Sequence, residues 1–489
     1  MSTQSLKDKT VKSVGWKFAG SIASYGITFI VGLILARLLG PEEYGLVGIV
    51  MIFITILNGI VDSGLSNALI RKTDATEIDY STTFIANMVM SVVLYALLFV
   101  CAPWIASFFR HAELVPLMRV MGILLFFQAL SLIQQTVLTK ELDFKTQAIC
   151  QVVASLFSGI VGVTMAYNDF GVWAIIGQQL SKSLIYTIVI WILRNWWPKL
   201  VFSWKSFREL WDFGWKMLVS GLISNLWGQM SKVVIGRFYS SESLGYYEKG
   251  REYVNMVSQN LTMVVQSVSY PALSQLQNEK ERLKTGYKKV IKVTMLVTFV
   301  LVLGLAACAK SFILVLIGEK WLPSVPMMQI ICFSLMLYPL HAINLNMLQV
   351  QGRSDLFLRL EIIKKTIAII PIVLGIFCGI YAMLIANVFS GIFAYYLNAS
   401  YSGPFLNYSI KEQVKDILPS FSVAITMGLV VFAMSFLPVS YYLLLPLQIV
   451  VGGTMVILIC KALKLEEYEE CITMVKVYVY KIIRKKENR

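Results

Sequence analysis

Charged side chains in the middle of long apolar runs are where this sequence can do chemistry. Lys182 lies deep in IIGQQLSKSLIYTIVIW, one helical turn after Gln178. Lys17 opens a stripe with Ser21, Ser24 and Thr28, and Lys216 opens another with Ser220, Ser224, Gly228 and Ser231, followed by Lys232. Glu248, Glu252, Asn255, Gln259, Thr262 and Gln266 share one helical face with Arg251 beside it, and Thr55, Asn58 and Asp62 share another. An ionisable group at mid-membrane costs roughly 2.5–3.5 kcal/mol on insertion scales, so each should face water or a partner.

The balance of these groups is cationic. Lys17, Lys182, Lys216, Lys232 and Arg251 outnumber the deep acids, and such a pocket suits a phosphate or carboxylate through charge-assisted hydrogen bonds. Lys17 and Lys216 stand near the ends of their runs and either line that pocket or snorkel to the interface. Asp62 and Glu248 either couple transport to an ion or neutralise a nearby lysine. Asn58, Asn255 and Gln259 are expected to line the same hydrated cavity. A polar stripe on one helix is also a helix–helix contact surface; stripes on four related helices favour a cavity. No nucleophile–base set, P-loop or metal-ligand spacing is present. The seven cysteines are scattered, so apolar packing is expected of them, and neither metal nor cofactor is expected. His341 reads as a packed or hydrogen-bonded histidine.

The elements that must hold these groups are membrane spans. The chain has 489 residues, of which 57% are hydrophobic and 15% charged, against about 25% charged in a soluble protein. Apolar runs of roughly twenty residues match the thickness of the hydrocarbon core. Fourteen spans can be drawn, near 16–38, 44–68, 82–109, 116–138, 147–167, 170–193, 211–236, 245–275, 290–317, 325–350, 358–379, 380–400, 416–437 and 440–463. The fold class is therefore all-α and polytopic. Short connections leave no stretch long enough for a separate soluble domain, which argues against a membrane ligase or polymerase. The net charge of +15 gathers in alternate loops and in the tail KIIRKKENR. It reads as positive-inside topology with both termini cytoplasmic, and not as nucleic-acid binding. The tail after Leu465 is expected to rest on anionic lipid as an amphipathic helix.

An internal repeat organises the spans. ARLLGPEEYGLVG at 36–48 aligns with GRFYSSESLGYYE at 236–248, so that Arg37 meets Arg237, Glu42 meets Glu242 and Gly45 meets Gly245. Upstream, GWK at 15–17 meets GWK at 214–216. Six spans separate the copies, so both halves insert in the same orientation, as parallel repeats. The expected division is a six-helix bundle over 1–205, a second over 206–404, and two extra helices with the basic tail over 405–489. Arg37 and Arg237 either cap helix ends or meet substrate on exit.

Several stretches carry a family resemblance: LARLLGPEEYGLVG, IVDSGLSNALIRK (60–72), SYPALSQLQ (269–277), GEKWLPSVPMMQI (318–330) and, most specifically, YPLHAINLNMLQVQGRSDLFLRLEIIKK (338–365). The sequence resembles Wzx-type polysaccharide flippases of the MATE-like superfamily, in the branch exporting colanic and teichuronic acid units. The resemblance implies two six-helix bundles about a central cavity, and no enzyme activity. It implies movement of an undecaprenyl-diphosphate-linked oligosaccharide across the bacterial inner membrane by alternating access, driven by H+ or Na+. Lys182, Lys232 and Arg251 would hold the anionic head, with membrane lipids and a polysaccharide polymerase or assembly complex as partners. A lipid II flippase shares the same scaffold and a similar head group. A drug or cation antiporter would want an acidic, aromatic pocket instead.

Overall fold

A computed structural model describes residues 3–194, 196–276, 279–351, 353–473 and 476. The helices are α1 (Thr3–Leu38), α2 (Pro41–Asp62), α3 (Leu65–Arg71), α4 (Glu77–Phe109), α5 (Leu114–Met121), α6 (Leu124–Lys140), α7 (Phe144–Tyr167), α8 (Val172–Leu193) and α9 (Trp204–Phe238). They continue as α10 (Ser241–Gln275), α11 (Lys280–Ala307), α12 (Ala309–Leu316), α13 (Ser324–Leu335), α14 (Tyr338–Val350), α15 (Ser354–Ile367), α16 (Ile369–Phe377), α17 (Ile380–Leu406), α18 (Ile410–Ala433) and α19 (Tyr441–Ala462).

Each expected span falls on one helix or on two joined end to end. Among the described residues, eleven helical stretches are long and apolar enough to cross a membrane. The spans expected at 211–236, 245–275 and 358–379 fall on α9, α10 and α15–α16, which lie outside that set. The first two are long but carry the polar stripes, and the third is split into pieces of 14 and 9 residues.

The chain divides into two compact units, Met1–Gly245 and Tyr246–Arg489. In the first, Leu65, Leu69, Ile133, Val137 and Leu210 form a core at one end of the helices, packed against Trp191, Trp196 and Trp211. Beside it lies an ion cluster. Lys72 donates to Asp79 at 3.2 Å and to Glu209 at 3.1 Å, while Asp79 also accepts from the Thr76 amide and from the Ser206 hydroxyl.

The core of the second unit surrounds a polar hub. Asn344 is fully buried on α14, where its Oδ1 accepts from Tyr287 Oη and Ser402 Oγ, each at 2.7 Å. Its Nδ2 donates to Leu340 O at 3.1 Å. Residues of α11, α14 and α17 thus meet at one amide, ringed by Phe299, Leu340, Met347 and Leu406. Buried polar groups that are hydrogen-bonded in this way fix one packing arrangement.

All seven cysteines are free. Cys150, Cys308, Cys332 and Cys460 pack as expected, but Cys378 at the end of α16 is exposed. The expectation of a tail lying on lipid needs correction at its start. Glu470 pairs with Lys289 at 2.6 Å, Glu466 with Lys292 at 3.6 Å, and Ser420 donates to Glu467 at 2.9 Å. An acidic face therefore binds this segment to α11 and α18, because lysines stand opposite it. The basic run 481–489 lies outside the described residues.

Candidate functional site

In the first unit α2 and α9 run antiparallel along a seam of small residues. A Cβ on Gly236 would lie 3.2 Å from Ile49, one on Gly59 would lie 2.8 Å from Asn225 Nδ2, and one on Gly64 would lie 2.3 Å from Gly214 O. Small residues allow such approach between membrane helices. The last contact depends on a sharp break, since Ser63 (φ 53°) and Gly64 (φ 66°) are both left-handed and separate α2 from α3. Gly214 is the first residue of the second GWK motif, so that motif serves as a packing site.

The seam places the polar residues in order. Asn58 and Asp62, one turn apart on α2, lie alongside the middle of α9. Both are half-buried, and Oδ1 of each lacks a hydrogen-bond partner among the described residues. On α9, Lys216, Ser220, Ser224 and Gly228 are all exposed, and Ser231 and Lys232 are half-buried. Lys182 on α8 is half-buried and makes no hydrogen bond or ion pair among the described residues. α8 packs on α2, the helix that carries Asp62.

The equivalent stripe on α1 is used differently. Ser24 and Ser155 share a hydrogen bond of 2.8 Å, and Gly20 abuts Ala148 of α7. This face is partly a helix–helix surface. Lys17 is exposed, with its Nζ 4.9 Å above the Phe144 ring, and Lys216 lies 6.0 Å over Trp215.

In the second unit Arg251 receives the Tyr247 hydroxyl as acceptor at 3.1 Å and lies one turn from the half-buried Glu248. Gln259 donates to Asn255 at 3.3 Å. The far end of this stripe is again packing. Thr262 is buried and donates to Ser258 O at 2.7 Å, and Gln266 donates to Asn346 at 3.4 Å. His341 is hydrogen-bonded as expected, with Nδ1 3.3 Å from Asn398 Nδ2.

Two cations escaped the sequence reading. Lys249 is 3% exposed and pairs with Glu252 at 2.8 Å, a partner signalled by its three-residue spacing. Arg119, in the apolar run LVPLMRVMG, sits 4.1 Å over Phe99 with its Nε buried and unbonded.

The fold and these charges define an all-α, multi-pass membrane protein. Its fold is that of the lipid II flippase MurJ in an inward closed conformation, at a TM-score of 0.76 and 16% identity, over 93% of this chain and 100% of that one. The chain belongs to the polysaccharide biosynthesis protein family, which residues 34–326 match. It is 30% identical over 301 residues to the teichuronic acid biosynthesis protein TuaB of Bacillus subtilis, covering 61% of this chain and 62% of that protein's length. It is 25% identical over 333 residues to the succinoglycan biosynthesis transport protein ExoT of Rhizobium meliloti, covering 68% of this chain and 67% of that one.

Proposed function

We propose that the protein is a flippase, and not an enzyme, that moves an undecaprenyl-diphosphate-linked oligosaccharide across the bacterial inner membrane for surface polysaccharide assembly. The observation that carries this reading is Lys182, a half-buried lysine in a membrane helix with no hydrogen bond or ion pair among the described residues. A cation retained there at roughly 2.5–3.5 kcal/mol is explained by an anionic ligand that neutralises it during the transport cycle. The diphosphate supplies that charge. In this reading Lys182, Lys232 and Arg251 hold the head group, Lys17 and Lys216 guide it from the basic end, and Asn58, Asn255 and Gln259 bond the sugars. Asp62, half-buried with an unbonded oxygen, is the first candidate for coupling to H+ or Na+, and Glu248 the second. The basic residues gathered in alternate loops support a topology with both termini in the cytoplasm. The repeat copies at 36–48 and 236–248 support a division into repeats 1–205 and 206–404.

Loss of the protein is expected to strand lipid-linked oligosaccharide on the cytoplasmic face. Intermediates that instead reach the periplasm at the normal rate sink the reading. Rescue of a strain depleted of its lipid II flippase would move the assignment to peptidoglycan precursors.

A further inference from the structure

The connection from α8 to α9 carries the run WWPKLVFSWK, residues 196–205. Its backbone is tied down. The Lys199 amide donates to Ser81 Oγ and the Ser203 amide to Thr82 Oγ1, each at 3.1 Å, and Gln134 Nε2 donates to Trp196 O at 2.9 Å. Trp196 itself turns inward, with its indole donating to Glu77 at 2.8 Å. The segment is thus a fixed strap on the start of α4.

Three of its apolar side chains are largely exposed, although Trp197 meets the Trp191 ring edge-on with centroids 5.0 Å apart and Trp204 meets the Phe207 ring at 5.6 Å. Trp197 is 70% exposed, Leu200 89% and Trp204 72%. Three exposed cations, Lys199, Lys205 and Arg208, stand among them. The nearby carboxylates are largely engaged elsewhere: Glu77 by Trp196, Glu209 by Lys72 and Glu141 by Arg194. Glu77, Glu141 and Glu209 are nevertheless exposed, as is Asp212, one turn beyond Arg208. Because α8 ends at Leu193 and α9 begins at Trp204, the strap sits at the surface of the bilayer that α8 crosses. Tryptophan there prefers the headgroup layer, and each basic residue near an anionic leaflet contributes about 1 kcal/mol.

We propose that residues 197–208 form a binding surface for anionic phospholipid. Trp197, Leu200 and Trp204 enter the headgroup–acyl boundary, and Lys199, Lys205 and Arg208 hold the phosphates. This assignment needs only that the chain spans a membrane, and it stands apart from the transported substrate.

The test uses the full chain in nanodiscs of phosphatidylcholine with or without roughly 30% phosphatidylglycerol. A photoactivatable phosphatidylglycerol is expected to label the peptide spanning 197–208 in the unaltered protein. Labelling should fall at least about fivefold in the Lys199→Gln, Lys205→Gln, Arg208→Gln triple variant, with the thermal midpoint unchanged. Equal labelling by a photoactivatable phosphatidylcholine, or labelling unaffected by the triple variant, overturns the proposal. A spin label at Leu200→Cys in a cysteine-free chain gives a second measurement. It should be accessible to oxygen and shielded from a nickel chelate, unlike a label at Asp74→Cys. Nickel access equal to that of the Asp74 label, or dipolar broadening from a second copy of the chain, also overturns it.

Discussion

Gly45 and Gly245 each abut the first turn of the other's helix. A Cβ on Gly45 would lie 1.7 Å from Ser241 O, and one on Gly245 would lie 1.8 Å from Pro41 O. The two positions and their partners are the same two places in the repeat, so the contact has local twofold symmetry. The helix starts beneath it are built with different chemistry. Gly40 N donates to Glu43 Oε2 at 2.9 Å before Pro41, whereas Ser243 N donates to Ser240 Oγ at 3.0 Å in the second copy. Capping survives the exchange of residues, and the glycine does not tolerate one, because only its missing side chain lets the backbones meet.

Gly45→Ala and Gly245→Ala are each expected to destabilise the protein by about 1–3 kcal/mol, since backbone must move to admit the methyl group. Gly221→Ala is the control. Nothing lies within 4 Å of its Cβ position, and alanine gains roughly 1 kcal/mol over glycine in a helix. Thermal unfolding midpoints in detergent should therefore fall for the first two and hold or rise for the third.

Asn344→Leu removes the acceptor shared by Tyr287 and Ser402 and leaves both hydroxyls buried. At about 1–3 kcal/mol for each stranded group, this should rank among the most damaging single changes in the second unit. Asn344→Asp keeps the acceptor and should cost less if it takes up a proton. Unfolding midpoints that rank the two variants the other way would contradict the hub.

Lys72 makes a statement about pH. Burial disfavours its charge, but hydrogen bonds to Glu209 and Asp79 outweigh that and raise its pKa above the ordinary lysine range. A raised folded value means that the stabilisation is complete below the unfolded pKa and is lost as pH rises through the folded one. The stability difference between wild type and Lys72→Met should therefore be constant from about pH 6 to 9 and shrink only above roughly 10.4. A difference that declines already near neutrality would show that the ion cluster is not what holds Lys72.

The membrane class and the helix positions were legible because apolar run length survives without tertiary context. The use of each polar stripe was not. Lys17, Ser21, Ser24 and Thr28, at steps of four, three and four, fall on one helical face, as do Lys216, Ser220, Ser224 and Gly228 at steps of four. Even so, Ser24 is spent on α7 while the α9 stripe stays exposed. Periodicity identifies a face, and only the neighbouring helix decides whether that face meets water or protein. Arg119 was missed for a related reason, since an aromatic ring twenty residues away supplies its environment, whereas the Glu252 partner of Lys249 was signalled by its three-residue spacing.

Lys182 and Lys216 separate binding from snorkelling. Both are lysines of the first unit, on α8 and α9, but Lys216 is exposed over Trp215, whereas Lys182 is half-buried and makes no hydrogen bond or ion pair among the described residues. Losing a charge-assisted contact to a diphosphate costs about 1.5–3 kcal/mol, which is roughly a tenfold to hundredfold loss of affinity. Lys182→Ala should therefore abolish most polymer output at normal protein levels, Lys182→Arg should retain part of it, and Lys216→Ala should lose far less. Removing a half-buried charge that has no ion pair among the described residues should also raise the unfolding midpoint of Lys182→Ala. A residue kept for stability would lower it, so transport and melting measured on one preparation separate the two roles.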